Sequence, residues 1–136
     1  MSRPDTASHV GGAEAAPLVL LADDDPMIRE LVSRILEDAG YHVVTAEDGL
    51  EALELIQEWR PAVVILELMM AGLDGIETMR RLRGEPETAA LPILLVTAQA
   101  SSAELRQGRE LGADYLRKPF SADDLCARVA GLATTS

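Results

Sequence analysis

Several apolar runs of this sequence end in residues that could together bind a phosphoryl group: acids, a hydroxyl and an amine. Asp23 and Asp24 follow the first run, Glu67 follows another, Thr97 closes a third and Lys118 follows a fourth. Close carboxylates repel each other unless they are protonated or share a cation. A hard cation such as Mg²⁺ takes carboxylate, carbonyl and water oxygens, and together with a hydroxyl and a lysine it stabilises phosphoryl groups. These residues therefore predict a phosphoryl site, provided that the fold brings them together.

The apolar runs alternate with stretches of helical periodicity, which predicts strands alternating with helices. The predicted strands are 18–22, 42–46, 62–66, 92–97 and 113–118, and the predicted helices are 26–39, 50–59, 76–82, 102–111 and a last one capped by Ser121. Runs that are apolar on both faces are typical of buried parallel strands, with the helices as crossovers. Right-handed crossovers predict an α/β fold with a doubly wound five-stranded sheet, in strand order 2-1-3-4-5. Ligands bind such sheets at the carboxyl ends of the strands, where all five candidate residues fall.

Composition and charge narrow the classes of function. A chain of 136 residues with a net charge of −11 is typical of one domain, and its charge argues against direct binding to nucleic acid or to anionic membranes. No apolar run approaches the ~18 residues that span a bilayer. The single cysteine, Cys126, allows no internal disulfide and favours a cytoplasmic location. Residues 1–17, rich in Ala, Gly, Ser and Pro, are predicted to form a disordered arm before a domain at 18–136.

Four stretches of the sequence, in this order and spacing, resemble the receiver domain of bacterial two-component response regulators. They are LVLLADDDPMIRELV (18–32), ILELMMAGLDG (65–75), LPILLVTA (91–98) and ADYLRKPF (113–120). The resemblance covers roughly residues 17–133. It implies a flavodoxin-like (βα)5 receiver fold and a signalling module of a phosphorelay rather than an enzyme. The implied partner is a sensor histidine kinase or another signalling protein.

The resemblance also implies a role for each candidate residue. The phosphoacceptor position falls on Glu67, the Mg²⁺ ligands on Asp23, Asp24, Glu67 and the backbone carbonyl of Met69, the phosphoryl contacts on Thr97 and Lys118, and the switch on Thr97 and Tyr115. It further implies a cis peptide bond between Lys118 and Pro119, which only bonds before proline adopt at low cost.

Two positions depart from the family pattern, since Glu67 stands where the family has Asp and Ala71 stands where it has Pro. The glutamate carboxylate reaches about 1.5 Å further, and a misplacement of ~1 Å can cost roughly 10²-fold in rate. We therefore predict that Glu67 is a poor or inactive phosphoacceptor and that Mg²⁺ binding is weakened. The longer acid could also reach Lys118 or Thr97 and partly mimic phosphorylation. Asp74, in the same loop, is predicted to cap a helix.

Several alternatives stay open from the sequence. An ordinary receiver that is phosphorylated slowly is one, and a small Mg²⁺-dependent phosphohydrolase or a flavodoxin-like cofactor protein is another. The resemblance also points to an output surface on the fourth helix, fifth strand and fifth helix, through which the chain could form a homodimer. On that surface Asp114 and Arg128 are oppositely charged and could pair across a twofold contact.

Overall fold

The computed structural model describes residues 16–134, in which five parallel strands alternate with five helices. The elements are β1 (Leu18–Ala22), α1 (Pro26–Asp38), β2 (His42–Ala46), α2 (Gly49–Trp59), β3 (Val63–Leu66), α3 (Gly75–Arg83), β4 (Ile93–Thr97), α4 (Ser102–Glu110), β5 (Asp114–Arg117) and α5 (Ala122–Ala133). The strands lie in the order β2-β1-β3-β4-β5, all parallel. The predicted fold class and strand order are therefore confirmed.

The helices cover both faces of the sheet and create two hydrophobic clusters. On one face, Leu36 of α1 and Leu125 of α5 pack against β1, β3 and β4. On the other face, Ile56 of α2 and Met79 of α3 pack against the same strands. Because β3 and β4 are buried on both faces, their sequences read as continuous apolar runs.

Side chains at the helix starts fix where the helices begin. Asp25 accepts a hydrogen bond from the Met27 amide, Asp74 from the Glu77 amide and Ser121 from the Asp124 amide. These contacts satisfy N–H groups that have no partner within the helix, and they confirm the caps predicted at Asp74 and Ser121. The predicted strands at 62–66, 92–97 and 113–118 are each too long by one or two terminal residues.

The chain ends and the loops add three observations. The peptide bond between Lys118 and Pro119 is cis, as the resemblance implied. Of the predicted arm, only Ala16 and Pro17 belong to the described residues, and the Pro17 carbonyl accepts a hydrogen bond from the His42 amide at 3.0 Å. Between residues 16 and 134, no helix is both long enough and apolar enough to cross a membrane.

Candidate functional site

The candidate residues meet at the edge of the sheet where the parallel strands end, here called the carboxyl edge. Asp23 follows β1 and Glu67 follows β3, and because these strands are neighbours, the Glu67 amide donates to the Ala22 carbonyl at 3.0 Å. Thr97 ends β4, and its carbonyl accepts from the Lys118 amide at 2.9 Å. Asp23, Glu67 and Thr97 are all buried. The topology therefore brings residues from four strands into one buried site.

The ammonium group of Lys118 joins the two buried acids. Its Nζ lies 2.9 Å from Oδ2 of Asp23 and 2.6 Å from Oε1 of Glu67. The side chain of Lys118 is only 15% exposed, and those of Asp23 and Glu67 are 3% and 8% exposed. Charged hydrogen bonds in such a shielded place are stronger than the same contacts on the surface. The centre of the site is therefore an ion triad.

The second carboxylate oxygen of Glu67 folds back onto the loop that follows it. Oε2 accepts from the Leu68 amide at 2.7 Å and from the Met69 amide at 3.3 Å. With the Lys118 contact, three N–H groups converge on this carboxylate, and neither oxygen is without a donor. The structure thus holds the Glu67 side chain in one position inside the site.

Asp23 is held by its side chain and by its backbone. Oδ1 accepts from the Asp25 amide at 2.9 Å, and the backbone carbonyl accepts from Nη1 of Arg29 at 2.7 Å. Our sequence reasoning missed Arg29, which is only 18% exposed and lies 3.9 Å from the exposed carboxylate of Glu47. Its position on α1 carried a signal, because helical side chains tilt toward the N-terminus and so toward the strand end that precedes α1. The amides of Leu68 and Met69 were also missed, and the sequence carries no signal for them.

The ionisation of the triad follows from burial and from these contacts. Burial raises the pKa of Asp23, and the nearby Glu67 adds to the rise, although the bonds from Lys118 and Asp25 oppose it. Burial alone would lower the pKa of Lys118, but the bonds to Glu67 and Asp23 outweigh it and raise the pKa. The two directions are compatible because the lysine has two carboxylate partners, whereas Asp23 shares its one ammonium group with a second acid.

The four other predicted site residues stay outside the triad. Asp24 is exposed, and the Thr97 hydroxyl donates to the Gln99 carbonyl at 3.2 Å. Tyr115 is half-buried and lines, with Met69 and Arg117, an open cavity of about 750 Å³ between α4 and β5. The structure therefore brings together Asp23, Glu67 and Lys118 and leaves Asp24 at the surface.

The acids of the triad fit a divalent cation poorly in this arrangement. All four carboxylate oxygens of Asp23 and Glu67 already accept hydrogen bonds from N–H groups of the protein. In the part of the chain that the structure describes, no three His, Cys, Asp or Glu side chains are grouped as metal ligands. Mg²⁺ needs oxygens in nearly octahedral positions, and the triad does not offer them as it stands.

Asp114 and Arg128 do form an ion pair, but within one chain. Arg128 Nη1 lies 3.3 Å from Oδ1 of Asp114 and also donates to the Tyr115 carbonyl. The two residues come together because α5 packs against β4, the strand next to β5. The proposed pairing across a twofold contact is therefore not needed to satisfy these charges.

Comparison with known proteins agrees with this geometry. Residues 19–130 match the family model described as the response regulator receiver domain. Among solved structures, chemotaxis protein CheY4 of Vibrio cholerae is similar with a TM-score of 0.82 and 36% identity, over 87% of this chain and 99% of that chain. The fold and the family of receiver domains are thus shared by this chain.

Two curated relatives are longer proteins. Response regulator MprA of Mycobacterium sp. (strain KMS) is 46% identical over 115 residues, which are 84% of this chain and 49% of the relative. The DNA-binding dual master transcriptional regulator RpaA of Synechocystis sp. is 42% identical over 117 residues, 85% of this chain and 48% of the relative. The chain spans about half the length of the curated relatives it matches. Since one of them is named as DNA-binding, they do not support the expectation that nucleic acid is excluded as a partner.

Proposed function

This chain belongs to the family of response regulator receiver domains, and from that premise we propose that it is a receiver module impaired in phosphorylation that acts by binding other proteins. The observation that carries the proposal is the hydrogen bonding of the Glu67 carboxylate, because the resemblance assigns Glu67 to the phosphoacceptor position of the family. Three N–H groups hold its carboxylate, two of them backbone amides of the loop that follows β3. No observation favours a phosphohydrolase or a flavodoxin-like cofactor protein.

Formation of an acyl phosphate requires one carboxylate oxygen to attack phosphorus in line with the leaving group. Either oxygen of Glu67 would first have to release a hydrogen bond, to Lys118 at 2.6 Å or to the Leu68 amide at 2.7 Å. The longer side chain would also place the attacking atom differently from the aspartate of the family, and ~1 Å of misplacement costs roughly 10²-fold in rate. Both effects slow the reaction at this position.

Partial mimicry of phosphorylation is part of the same proposal. The contact between Glu67 and Lys118 supports it, because the family resemblance assigns this lysine to the phosphoryl group. Thr97, the second residue that the resemblance assigns to the phosphoryl group, does not take part, since its hydroxyl donates to the Gln99 carbonyl. A carboxylate also carries about one negative charge, whereas a phosphoryl group carries about 1.5 to 2. Mimicry through the lysine alone is therefore incomplete.

The partners follow from the family. We propose a sensor histidine kinase or another signalling protein, in the cytoplasm, with output or homodimerisation through α4, β5 and α5. Receiver domains generally bind Mg²⁺, and the resemblance would place its ligands on Asp23, Asp24, Glu67 and the Met69 carbonyl. We propose that this binding is weakened here, because the carboxylate oxygens of Asp23 and Glu67 already accept hydrogen bonds from the protein. The net charge of −11 disfavours direct contact of this chain with DNA, and the name of RpaA refers to a protein about twice as long as the match.

The test is intact-mass spectrometry after incubation with Mg²⁺ and a small acyl-phosphate donor. The native chain is compared with Glu67→Asp, and Glu67→Gln serves as the matched control without an acid. We expect only Glu67→Asp to gain a phosphoryl group. If the native chain gains one and peptide mapping places it on Glu67, the proposal is wrong and the slow, phosphorylatable receiver is right. If neither chain reacts, the impairment does not lie in Glu67.

A further inference from the structure

We infer that Lys118 is the resident cation of this site and closes it to divalent metal ions, so that the domain keeps its arrangement without Mg²⁺. The inference deepens the proposed function, on which it rests for the role of the site. It concerns the metal ion rather than the phosphoryl group. The Glu67 carboxylate takes the role of the phosphoryl anion, and the Lys118 ammonium takes the role of Mg²⁺.

Cations already lie beside the buried acids. Asp23 and Glu67 contribute two negative charges, and the Lys118 ammonium bonds both carboxylates. Arg29 adds a positive charge next to Asp23, where it donates to the backbone carbonyl and lies 3.9 Å from the exposed Glu47. A divalent ion beside Asp23 would therefore add two positive charges close to two cationic side chains.

The oxygens that a metal would use point to N–H donors. In Asp23, Oδ2 faces the ammonium of Lys118 and Oδ1 faces the Asp25 amide. A metal ion bound between Asp23 and Glu67 would lie beside the ammonium group, and two cations in that position repel each other. Metal binding thus requires the lysine to withdraw.

The surroundings of the lysine oppose withdrawal. Its backbone is fixed by the 2.9 Å bond to the Thr97 carbonyl. The cavity beside its side chain, about 320 Å³, is lined otherwise by Ile28, Leu31, Ala98, Pro119 and Phe120, none of which is acidic. An ammonium group that left the two carboxylates for this cavity would lose both acidic partners and gain no other acidic side chain. Lys118 therefore stays with Asp23 and Glu67.

Calorimetric titration with Mg²⁺ tests the inference, with Lys118→Met as the variant that removes the ammonium and keeps the length of the side chain. We expect no saturable binding by the native domain and at least a tenfold higher affinity in Lys118→Met, because its two carboxylates are left without a cation. The matched control is Lys118→Met combined with Asp23→Asn, which should lose the gain. Equal affinity in the native domain and Lys118→Met would overturn the inference, and so would the absence of binding in both.

A second measurement needs no variant. Lys118 is the only lysine of the sequence, so ¹⁵N-lysine labelling gives a single side-chain NMR signal. We expect this signal to stay unchanged when Mg²⁺ is added, and a shift that saturates with Mg²⁺ would overturn the inference. The two proposals fail separately. A native domain that binds Mg²⁺ and is not phosphorylated leaves the proposed function intact, whereas phosphorylation of Glu67 removes it.

Discussion

Two cations lie at opposite edges of the sheet, and the protein compensates their charges in different ways. At the carboxyl edge, Lys118 bonds the carboxylates of Asp23 and Glu67. At the other edge, Arg83 ends α3 and donates only to backbone carbonyls. Its acceptors are Leu111 at 2.7 Å, Leu91 at 2.8 Å, Ala89 at 3.1 Å and Thr88 at 3.3 Å. One cation is held by charges and the other by dipoles.

The pKa values of the two cations move in opposite directions. Burial lowers the pKa of Arg83, and no carboxylate opposes that effect. For Lys118, the two carboxylates outweigh burial and raise the pKa. A network of ions responds to pH and to other ions, whereas a guanidinium among carbonyls does not titrate in the ordinary range. The carboxyl edge is therefore suited to switching, and Arg83 to fixing the loop 84–92 against the turn that precedes β5.

The largest effect that tests this contrast is the loss of Lys118. We expect Lys118→Met to lower the free energy of unfolding by about 3–5 kcal/mol at neutral pH, because a buried pair that loses one partner leaves charge uncompensated. Denaturant unfolding followed by the fluorescence of Trp59, the single and buried tryptophan, measures it. A loss below about 1 kcal/mol, the value of an exposed pair, would contradict the triad.

The next largest loss of unfolding free energy is expected for Arg83, and lysine should replace this residue only in part. Arg83→Met removes four backbone contacts at a partly exposed site, for which we expect about 2 kcal/mol. Arg83→Lys should restore less than half of it, because an ammonium cannot reproduce the guanidinium fork. Full rescue by lysine would show that charge alone matters at this edge.

Dependence on pH separates the two cations further. Because the folded pKa of Lys118 lies above 10.5, its contribution is complete below that pH and is lost as pH rises through the raised value. The deficit of Lys118→Met should also shrink at acid pH, where Asp23, whose pKa is raised by burial, takes up a proton, since a neutral carboxyl needs no counter-ion. The deficit of Arg83→Met should stay constant from about pH 5 to pH 9, where neither the guanidinium nor carbonyl groups titrate. Matched unfolding curves across pH decide this, and parallel profiles would remove the contrast.

A smaller effect of opposite sign is expected at Asp23. Its folded pKa is raised, so the stability that it contributes is complete below 3.8 and is lost as pH rises through the raised value. At neutral pH the ionised carboxylate therefore opposes folding. Asp23→Asn should raise the free energy of unfolding by less than about 1 kcal/mol, since Lys118 keeps Glu67 as a partner. A clear destabilisation would show that the bond to Lys118 outweighs burial.

The sequence predicted the layout of the site because layout follows from topology. Once five apolar runs are assigned to parallel strands, Asp23, Glu67, Thr97 and Lys118 must lie at one edge. The contacts within the site were less predictable. Arg29 bonds a backbone carbonyl, and Glu67 folds onto the amides of its own loop, and such choices depend on distances that only the packed fold sets.

The pair of Asp114 and Arg128 also shows that the sequence does not predict individual contacts. The sequence predicts opposite charges on one surface, but spacing along the chain does not say whether two residues pair within one chain or between two. The packing of α5 against β4, the neighbour of β5, decides it, and places Arg128 within 3.3 Å of Asp114. Sequence patterns therefore predict which groups share a surface better than they predict which atoms touch.

The smallest expected effect belongs to this exposed pair, which is a third way of holding a cation. Both side chains are more than 40% exposed, at 42% and 46%, and such pairs contribute about 0–1 kcal/mol. Asp114→Asn should change the free energy of unfolding by no more than about 0.5 kcal/mol and leave the oligomeric state unchanged. Arg128→Gln should cost more, because it also removes the bond to the Tyr115 carbonyl. Light scattering at several concentrations is the second readout. A fall in the assembled fraction of Asp114→Asn would show that the Asp114 carboxylate serves a contact between chains. The exposed pair would then have a role in assembly and not only within one chain.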